Sequence, residues 1–404
     1  MTTHLQRIEV RHAFPVVFTR DLFAPRNPAL RDAVARGQPD RRHRCLVLMD
    51  RGVKKAFPDL PARIRAYFQA HADALQLVRP PLILAGGETI KQSAAPVRRM
   101  LDALRAGNIC RHSYCLAIGG GAFLDAAGLA AALFHRGVRH VRIPTTALAQ
   151  CDSGVGVKNA INFEGSKNLL GTFAPPWAVL NDAGFLESLP LPLLLDGIAE
   201  AVKVAAIKDA AFFRSIERAA PKIARRDLPA IRRILQRCAL LHLEHIATSG
   251  DPFELGAARP LDYGHWAAHK LEAMSRHRLS HGHAVAIGIA LDALYAACLG
   301  LLPESQACRL IQTLRACGLP VFDPELARTT RPGRLAVLDG IEDFRAHLGG
   351  ELTVTFPAPL GSRVELHTID ETLMADCIAA LAEWGQPLNV KSRERKAAIH
   401  GLTP

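Results

Sequence analysis

A chain of 404 residues, 49% hydrophobic and 22% charged, is too long for one small core and too apolar to be disordered, so two folded domains are expected. No apolar run reaches the roughly 18 residues of a membrane span, and Arg7, Glu9 and Arg11 interrupt residues 1–17 where a secretory signal would be apolar, so a soluble cytoplasmic chain without a membrane partner is expected. The formal charge of +12, with arginines clustered over 20–44 and 225–237, attracts anions; without aromatic interleaving or a nucleic-acid motif, a solvated basic surface that steers phosphorylated substrates is expected rather than nucleic-acid binding.

Residues 44–49 (RCLVLM) are a short apolar run ending at Asp50 and are expected as a buried strand. A helix over 61–75, a strand over 81–85 ending in Gly86-Gly87, a helix over 93–106 and a strand over 113–118 ending in Gly119-Gly120-Gly121 follow. Alternating strands and helices are the pattern of a parallel sheet covered by helices. A helix over 124–134 then leads to a strand over 140–143. Residues 151–173, rich in Gly, Asn, Ser and Lys with little periodicity, are expected as a long functional loop. From Leu191 the patterns are helical, with no alternating run before 352–356. Pro190 and Pro192 punctuate the change. The expected division is an α/β domain over 1–187, an all-α domain over 188–386 and a basic tail over 387–404. The nine scattered cysteines include no CxxC pair, so neither a disulfide framework nor a thiolate zinc site is expected.

Three glycines between a strand and a helix let backbone approach a pyrophosphate at a helix N-terminus, although a tight structural turn has the same signature. Asp50 closes the first strand, where a carboxylate can accept from a ribose, and Glu88 and Lys91 follow the second. Glu200 and Lys203 share one face of an apolar helix, which fits a functional pair or a buried ion pair. His265 and His269 also share a helical face, and His281-Gly282-His283 opens another helix. Imidazoles with one carboxylate have the composition of a catalytic zinc-type site. Lys158, Asn162, Lys167 and Asn168 supply cations and donors suited to a phosphorylated polyol.

These blocks carry a resemblance. GGGAFLDAAGLAA at 119–131, HRG at 135–137, PTTALAQCDSGVGVKNAINFEGSKNLLG at 144–171, GIAEAVK at 197–203, GHWAAH at 264–269 and HG at 281–282 resemble, in order, the dehydroquinate synthase superfamily of NAD-dependent sugar phosphate cyclases. The resemblance implies a Rossmann-like α/β N-terminal domain and an all-α C-terminal domain. It implies NAD, held by Asp50, Glu88, Lys91, Gly119, Gly120, Gly121, Asp125, Thr145 and Thr146. It also implies a zinc or cobalt ion on Glu200, His265 and His281. Asp152, Lys158, Lys203 and His269 would then be catalytic. Asn162, Lys167 and Asn168 would bind substrate, and Arg136 would reach the phosphate from the neighbouring subunit of a homodimer. The implied reaction oxidises a hydroxyl with NAD, eliminates phosphate, returns the hydride and closes a carbocycle by an aldol step.

The chain departs from dehydroquinate synthase itself. The block before His265 reads ELGAARPLDYGH where that enzyme has roughly ExGxRxxLNFGH, so the arginine is one place out of register and Asp262 stands for asparagine. An aspartate repels a substrate carboxylate and suits a hydroxyl. A lysine-rich block is replaced by EDFRAHLGG, in which His347 is expected as a further substrate contact. Both blocks resemble the branch of the 2-epi-5-epi-valiolone synthases, and more so a group encoded in bacterial Ebo clusters and usually labelled dehydroquinate synthase. His283 stands where glutamate is usual, and Asn159 where threonine is common. The leading expectation is a cyclase acting on a C7 ketose phosphate such as sedoheptulose 7-phosphate. The alternatives are 3-dehydroquinate synthase acting on 3-deoxy-arabino-heptulosonate 7-phosphate, a metal-dependent polyol dehydrogenase of the same fold, and a basic scaffold without activity.

Overall fold

The structure is a computed structural model, and it describes residues 1–164, 166–253, 260–331 and 333–385. Two compact units emerge from its contacts: 1–204 with 221–256, and 205–220 with 257 onward. This division by compactness differs from the change of secondary structure near 187–188, because the first turns of one helix and the whole of a later one pack with the sheet.

The first unit is built on a seven-stranded parallel sheet. Its strands are β1 (Val16–Thr19), β2 (His43–Asp50), β3 (Leu75–Leu77), β4 (Leu82–Leu84), β5 (Tyr114–Gly119) and β6 (Arg139–Pro144), with β9 (Ala178–Asp182) after an intervening hairpin of β7 (Lys158–Phe163) and β8 (Ser166–Phe173). The spatial order is β1-β9-β6-β5-β2-β3, with β4 also on β2. Side chains alternate across β2: Cys45, Val47 and Met49 enter one core, Leu46 and Leu48 the other. Burial on both faces is why RCLVLM reads as a continuous apolar run. Helices α1 (Ala29–Ala35), α2 (Arg51–Ala56) and α3 (Leu60–Ala70) lie in the first half of this unit, before α4 (Ala95–Ala106) and α5 (Gly121–Leu133). The chain leaves β2 for β3 and β4 on one side and returns to β5 on the other. The order therefore reverses between β2 and β5, and ligand crevices form at such switch points, outside the carboxyl ends of the strands. Asp50 and Gly119 close those two strands.

Two expectations need correction. Residues 151–173 are not an irregular loop: a π-helical turn at Ala149–Ser153 precedes the β7–β8 hairpin. Its periodicity was hidden because a polar residue, Asn159, takes a buried position while Leu169 and Leu170 are exposed. The helix expected over 61–75 stops at Ala70, and β3 begins at Leu75. Strands β1 and β9 lie outside the elements expected from the sequence.

The long helices that follow are α6 (Leu191–Lys208), α7 (Ala210–Ala224) and α8 (Leu228–Thr248), of which α8 belongs to the first unit. The second unit holds α9 (His265–Met274), α10 (His281–Cys298), α11 (Glu304–Cys317), α12 (Asp339–His347) and α13 (Glu371–Trp384). A small antiparallel pair, Val354–Pro357 with Arg363–Leu366, completes it. Among the described residues α10 alone is long and apolar enough to cross a membrane by length and composition, although His281, His283 and Asp292 interrupt its apolar run. Its apolarity has a local cause, since 72% of that window is buried inside the fold. Gly264 and Gly288 let the start of α9 cross α10 closely. Gly264 has φ +77°, and a Cβ on Gly288 would lie 2.1 Å from its carbonyl oxygen.

Candidate functional site

At the switch point of the first unit, Asp50 caps α2 by accepting from the Gly52 N–H at 2.7 Å, and burial raises its carboxyl above the usual range. A Cβ on Gly86 would lie 1.9 Å from Asp50 Oδ2, so glycine there leaves the carboxylate its position. Beside it, Gly119 ends β5, Gly120 caps α5 and Gly121 begins it. Added Cβ atoms would meet Phe123, Thr146 and Ser153 respectively, so the three glycines bring the helix N-terminus against the Thr145–Thr146 segment. The Thr145 N–H donates to Gly119 O at 3.0 Å. Lys91 is buried and paired with Asp125 at 2.8 Å, and its Nζ also donates to Asn168 Oδ1. Glu88 lies exposed in the turn before Lys91.

Lys91 thus links the switch point to the β7–β8 hairpin, which carries Lys158, Asn162, Lys167 and Asn168. Asn162 Oδ1 accepts from the Asn168 N–H at 2.9 Å and holds Asn168 at φ 58°. The hairpin is tied to the sheet by Arg142, a fully buried residue of β6. Arg142 donates to Gly156 O at 2.8 Å, Lys158 O at 2.9 Å and Asn159 Oδ1 at 2.7 Å. Burial lowers its affinity for its proton to about 10. Asn159 also donates to the Val157 carbonyl at 3.3 Å, so it belongs to this scaffold. The apolar reading of β6 passed over Arg142, and nothing in the local pattern marks it.

Asp152 sits in the π-helical turn with its Oδ1 2.9 Å from His242 Nδ1, a residue of α8 that the sequence reading missed. On α6, Glu200 is fully buried and Lys203 nearly so, and the two form an ion pair one turn apart. Arg136 is not gathered with these groups. It lies exposed in a turn three residues before β6, whose opposite end pairs with Gly119. The six-residue strand between them spans about 20 Å.

In the second unit, His265 and His269 project from one face of α9 with ring centroids 5.3 Å apart, and His281, opening α10, lies 5.4 Å from His265 and 6.0 Å from His269. His265 Nδ1 is 3.1 Å from the Tyr263 carbonyl oxygen, and His281 Nδ1 is 3.1 Å from Glu272 Oε2. A carbonyl and a carboxylate only accept, so the Nδ1–H tautomer of both rings matches these contacts. That tautomer suits a metal ligand, and a carboxylate behind a histidine is a common support for one. Glu272 went unnoticed although it is in helical register with His265 and His269. His269, Glu272 and His281 offer ligand atoms within 4.8 Å of one another. His283 Nδ1 is 2.6 Å from Ser280 Oγ, in the first turn of α10. Asp262 is part-buried in the short turn Pro260–Asp262. The slipped arginine at 259, the rest of block 254–259 and the tail from 386 lie outside the described residues, and of His347 only its place at the end of α12 is described.

The α9 start is fixed by Asp292 of α10, which is fully buried and accepts from the Gly264 N–H at 3.1 Å and Trp266 Nε1 at 2.9 Å. Burial pushes its carboxyl up to about 7 against the pull of those two donors. Its pKa when unfolded is about 3.9, so the folded chain holds the extra proton between roughly pH 4 and 7. The contribution of Asp292 to stability is therefore greatest below that window, falls as pH rises through it and is flat above. The fall is expected to be on the order of 4 kcal/mol. Urea titrations between pH 5 and 8 check this: Asp292→Asn should flatten the slope, and an unchanged slope would assign it to other groups.

A glycine-lined switch point in a parallel sheet, followed by helices bearing anchored histidines, defines the class as a dinucleotide-type α/β fold joined to a helical, histidine-bearing part. Residues 81–195 match the family model for the 3-dehydroquinate synthase N-terminal domain, and 197–332 that for its C-terminal domain. The chain is 34% identical over 377 residues to a 2-epi-5-epi-valiolone synthase of Streptomyces glaucescens, covering 92% of each. It is 38% identical over 256 residues to a 3-dehydroquinate synthase of Pelobacter propionicus, covering 63% of this chain and 69% of that one. A solved 2-epi-5-epi-valiolone synthase of Streptomyces hygroscopicus subsp. jinggangensis 5008, with NAD+ and Zn2+ bound, superposes with a TM-score of 0.81 at 29% identity, covering 95% of this chain and all of that one. The chain belongs to the 3-dehydroquinate synthase family of sugar phosphate cyclases.

Proposed function

We propose that the protein cyclises a C7 ketose phosphate such as sedoheptulose 7-phosphate, using NAD and one divalent metal ion. The observation that carries this reading is the end-to-end likeness to 2-epi-5-epi-valiolone synthases, whereas the likeness to the 3-dehydroquinate synthase covers 63% of the chain. Asp262 supports it, because an acidic side chain suits a hydroxyl-bearing substrate end and not a carboxylate.

The residues present fit both groups. Gly86, Gly119, Gly120 and Gly121 bring bare backbone to the switch point, which suits the close approach of a dinucleotide, with Asp50 for a ribose and Thr145, Thr146, Glu88, Lys91 and Asp125 around it. Nδ1-anchored His265 and His281 suit a divalent ion, with Glu200 as the third ligand. When bound, NAD supplies reversible hydride exchange and the ion, zinc or cobalt, polarises a hydroxyl oxygen. Lys158, Lys167, Asn162 and Asn168 bind the sugar phosphate from the hairpin that Arg142 fixes. Asp152, Lys203 and His269 orient substrate hydroxyls and move protons. Asp262 and His347 hold the end of the sugar remote from phosphate. Arg136, about 20 Å from the switch point along its own chain, reaches a phosphate in a partner subunit of a homodimer.

Phosphate release tests the substrate: release from sedoheptulose 7-phosphate supports the reading, and release from the carboxylate-bearing heptulosonate alone overturns it. Gly86→Ala tests the dinucleotide end. The added methyl overlaps the Asp50 carboxylate and forces it to shift, so NAD+ affinity should fall about tenfold or more, the value of a lost charge-assisted hydrogen bond, with loss of the α2 cap checked separately by denaturation. Calorimetric titration with NAD+ measures it, and wild-type affinity would remove Asp50 from the ribose role.

A further inference from the structure

Four arginines that are far apart in the sequence and have no part in the reaction proposed above meet at the N-terminal end of the sheet strands, the end opposite Asp50 and Gly119. There Arg11, Arg36, Arg111 and Arg139 line a cavity of about 360 Å³ together with Trp177 and His140. Arg36 lies 4.2 Å and Arg139 4.4 Å from the centre of the Trp177 ring. Both guanidinium groups are held in place: Arg36 donates to Trp177 O at 2.7 Å, and Arg139 to Tyr114 Oη at 2.7 Å. No Asp or Glu is among the cavity's described lining residues. His140 is 6% exposed, and its Nε2 has no hydrogen-bond partner among the described residues.

Two fixed guanidinium groups on one indole, with two more arginines at the rim, repel one another, and an anion placed among them reverses the sign of that energy. Guanidinium forks match pairs of phosphate oxygens, and the cavity falls in the size range of small-ligand sites. We propose that this cavity binds a small polyanion of the diphosphate type, or the phosphorylated end of a metabolite, at a site separate from the one that carries the reaction. Its concavity favours a small ligand over an acidic protein surface or a nucleic-acid duplex. The proposal does not depend on which sugar the enzyme takes.

Inorganic diphosphate is the probe, titrated into the full chain with NAD+ saturating, read by calorimetry and by hydrogen exchange. Protection is expected over 11–14 and 137–140. The exposed pair Arg11→Glu and Arg111→Glu should weaken binding about tenfold or more, because two cations become anions within a Debye length of roughly 8–10 Å. Arg11→Gln with Arg111→Gln should weaken it less, and sugar phosphate turnover should be unchanged in both double variants. Unchanged affinity in both, or no protection at these segments, would overturn the proposal. Protection confined to 158–173 would place the anion with the substrate-binding hairpin alone, overturning this site while leaving the proposed function standing. Binding of duplex nucleic acid without binding of diphosphate would also overturn it.

Discussion

Glu200→Gln is expected to bring bound metal close to zero and to lower phosphate release by roughly a thousandfold or more, whereas Glu272→Gln should lose only about 10- to 100-fold in metal affinity. The contrast follows from the roles proposed for the two buried glutamates. Glu272 stands behind His281, 3.1 Å from Nδ1, so it sets that ring's tautomer and orientation. Its glutamine still offers an oxygen to the Nδ1–H and keeps most of that function. Glu200 is proposed as a direct ligand, and the amide that replaces it is neutral. Removing its charge also breaks the buried ion pair with Lys203, so stability must be measured separately by denaturation. Metal content by atomic emission after dialysis, alongside turnover, separates the outcomes. Because His269, Glu272 and His281 also bring three ligand atoms within 4.8 Å of one another, the reverse pattern has a clear meaning. Metal lost in Glu272→Gln and retained in Glu200→Gln would move the ion onto that second set.

Substrate discrimination should be of similar size. A carboxylate placed about 4 Å from Asp262 meets a repulsion of about 4 kcal/mol at an effective dielectric near 20, which is roughly a thousandfold in kcat/KM. Sedoheptulose 7-phosphate, with a hydroxyl-bearing end, escapes it. Asp262→Asn should therefore raise kcat/KM for the heptulosonate by one to two orders of magnitude, roughly, while lowering it for the ketose phosphate. Both are read from initial rates of phosphate release. A variant that accepts both sugars as the wild type does would show that Asp262 does not face that end of the substrate.

The parts of this account that were legible in the sequence share one property: they are periodic or punctuated. Strand β2 announces itself because both of its faces are buried, and the three glycines after β5 because Cβ atoms there would meet Phe123, Thr146 and Ser153. His265 and His269 are legible because i, i+4 spacing is visible without a fold. Glu272 could have been read in the same way, being in register with both histidines. Arg142 and His242 could not. Each acts across the chain, on the carbonyls of 156 and 158 and on Asp152, and no local pattern in β6 or α8 reports a partner brought near by folding. The β7–β8 hairpin was hidden for a related reason: Asn159 occupies an inward position that a strand pattern expects to be apolar, and it is satisfied by a buried arginine from another strand.

The most direct test of the central claim is a reaction with sedoheptulose 7-phosphate, the metal-loaded protein and NAD+ at a small fraction of the substrate concentration, following orthophosphate, carbocyclic product by carbon NMR, and NADH together. The account predicts many phosphates and many carbocycles per NAD+, with no accumulation of NADH. NADH formed one-for-one with consumed sugar, or phosphate released without ring closure, would contradict it.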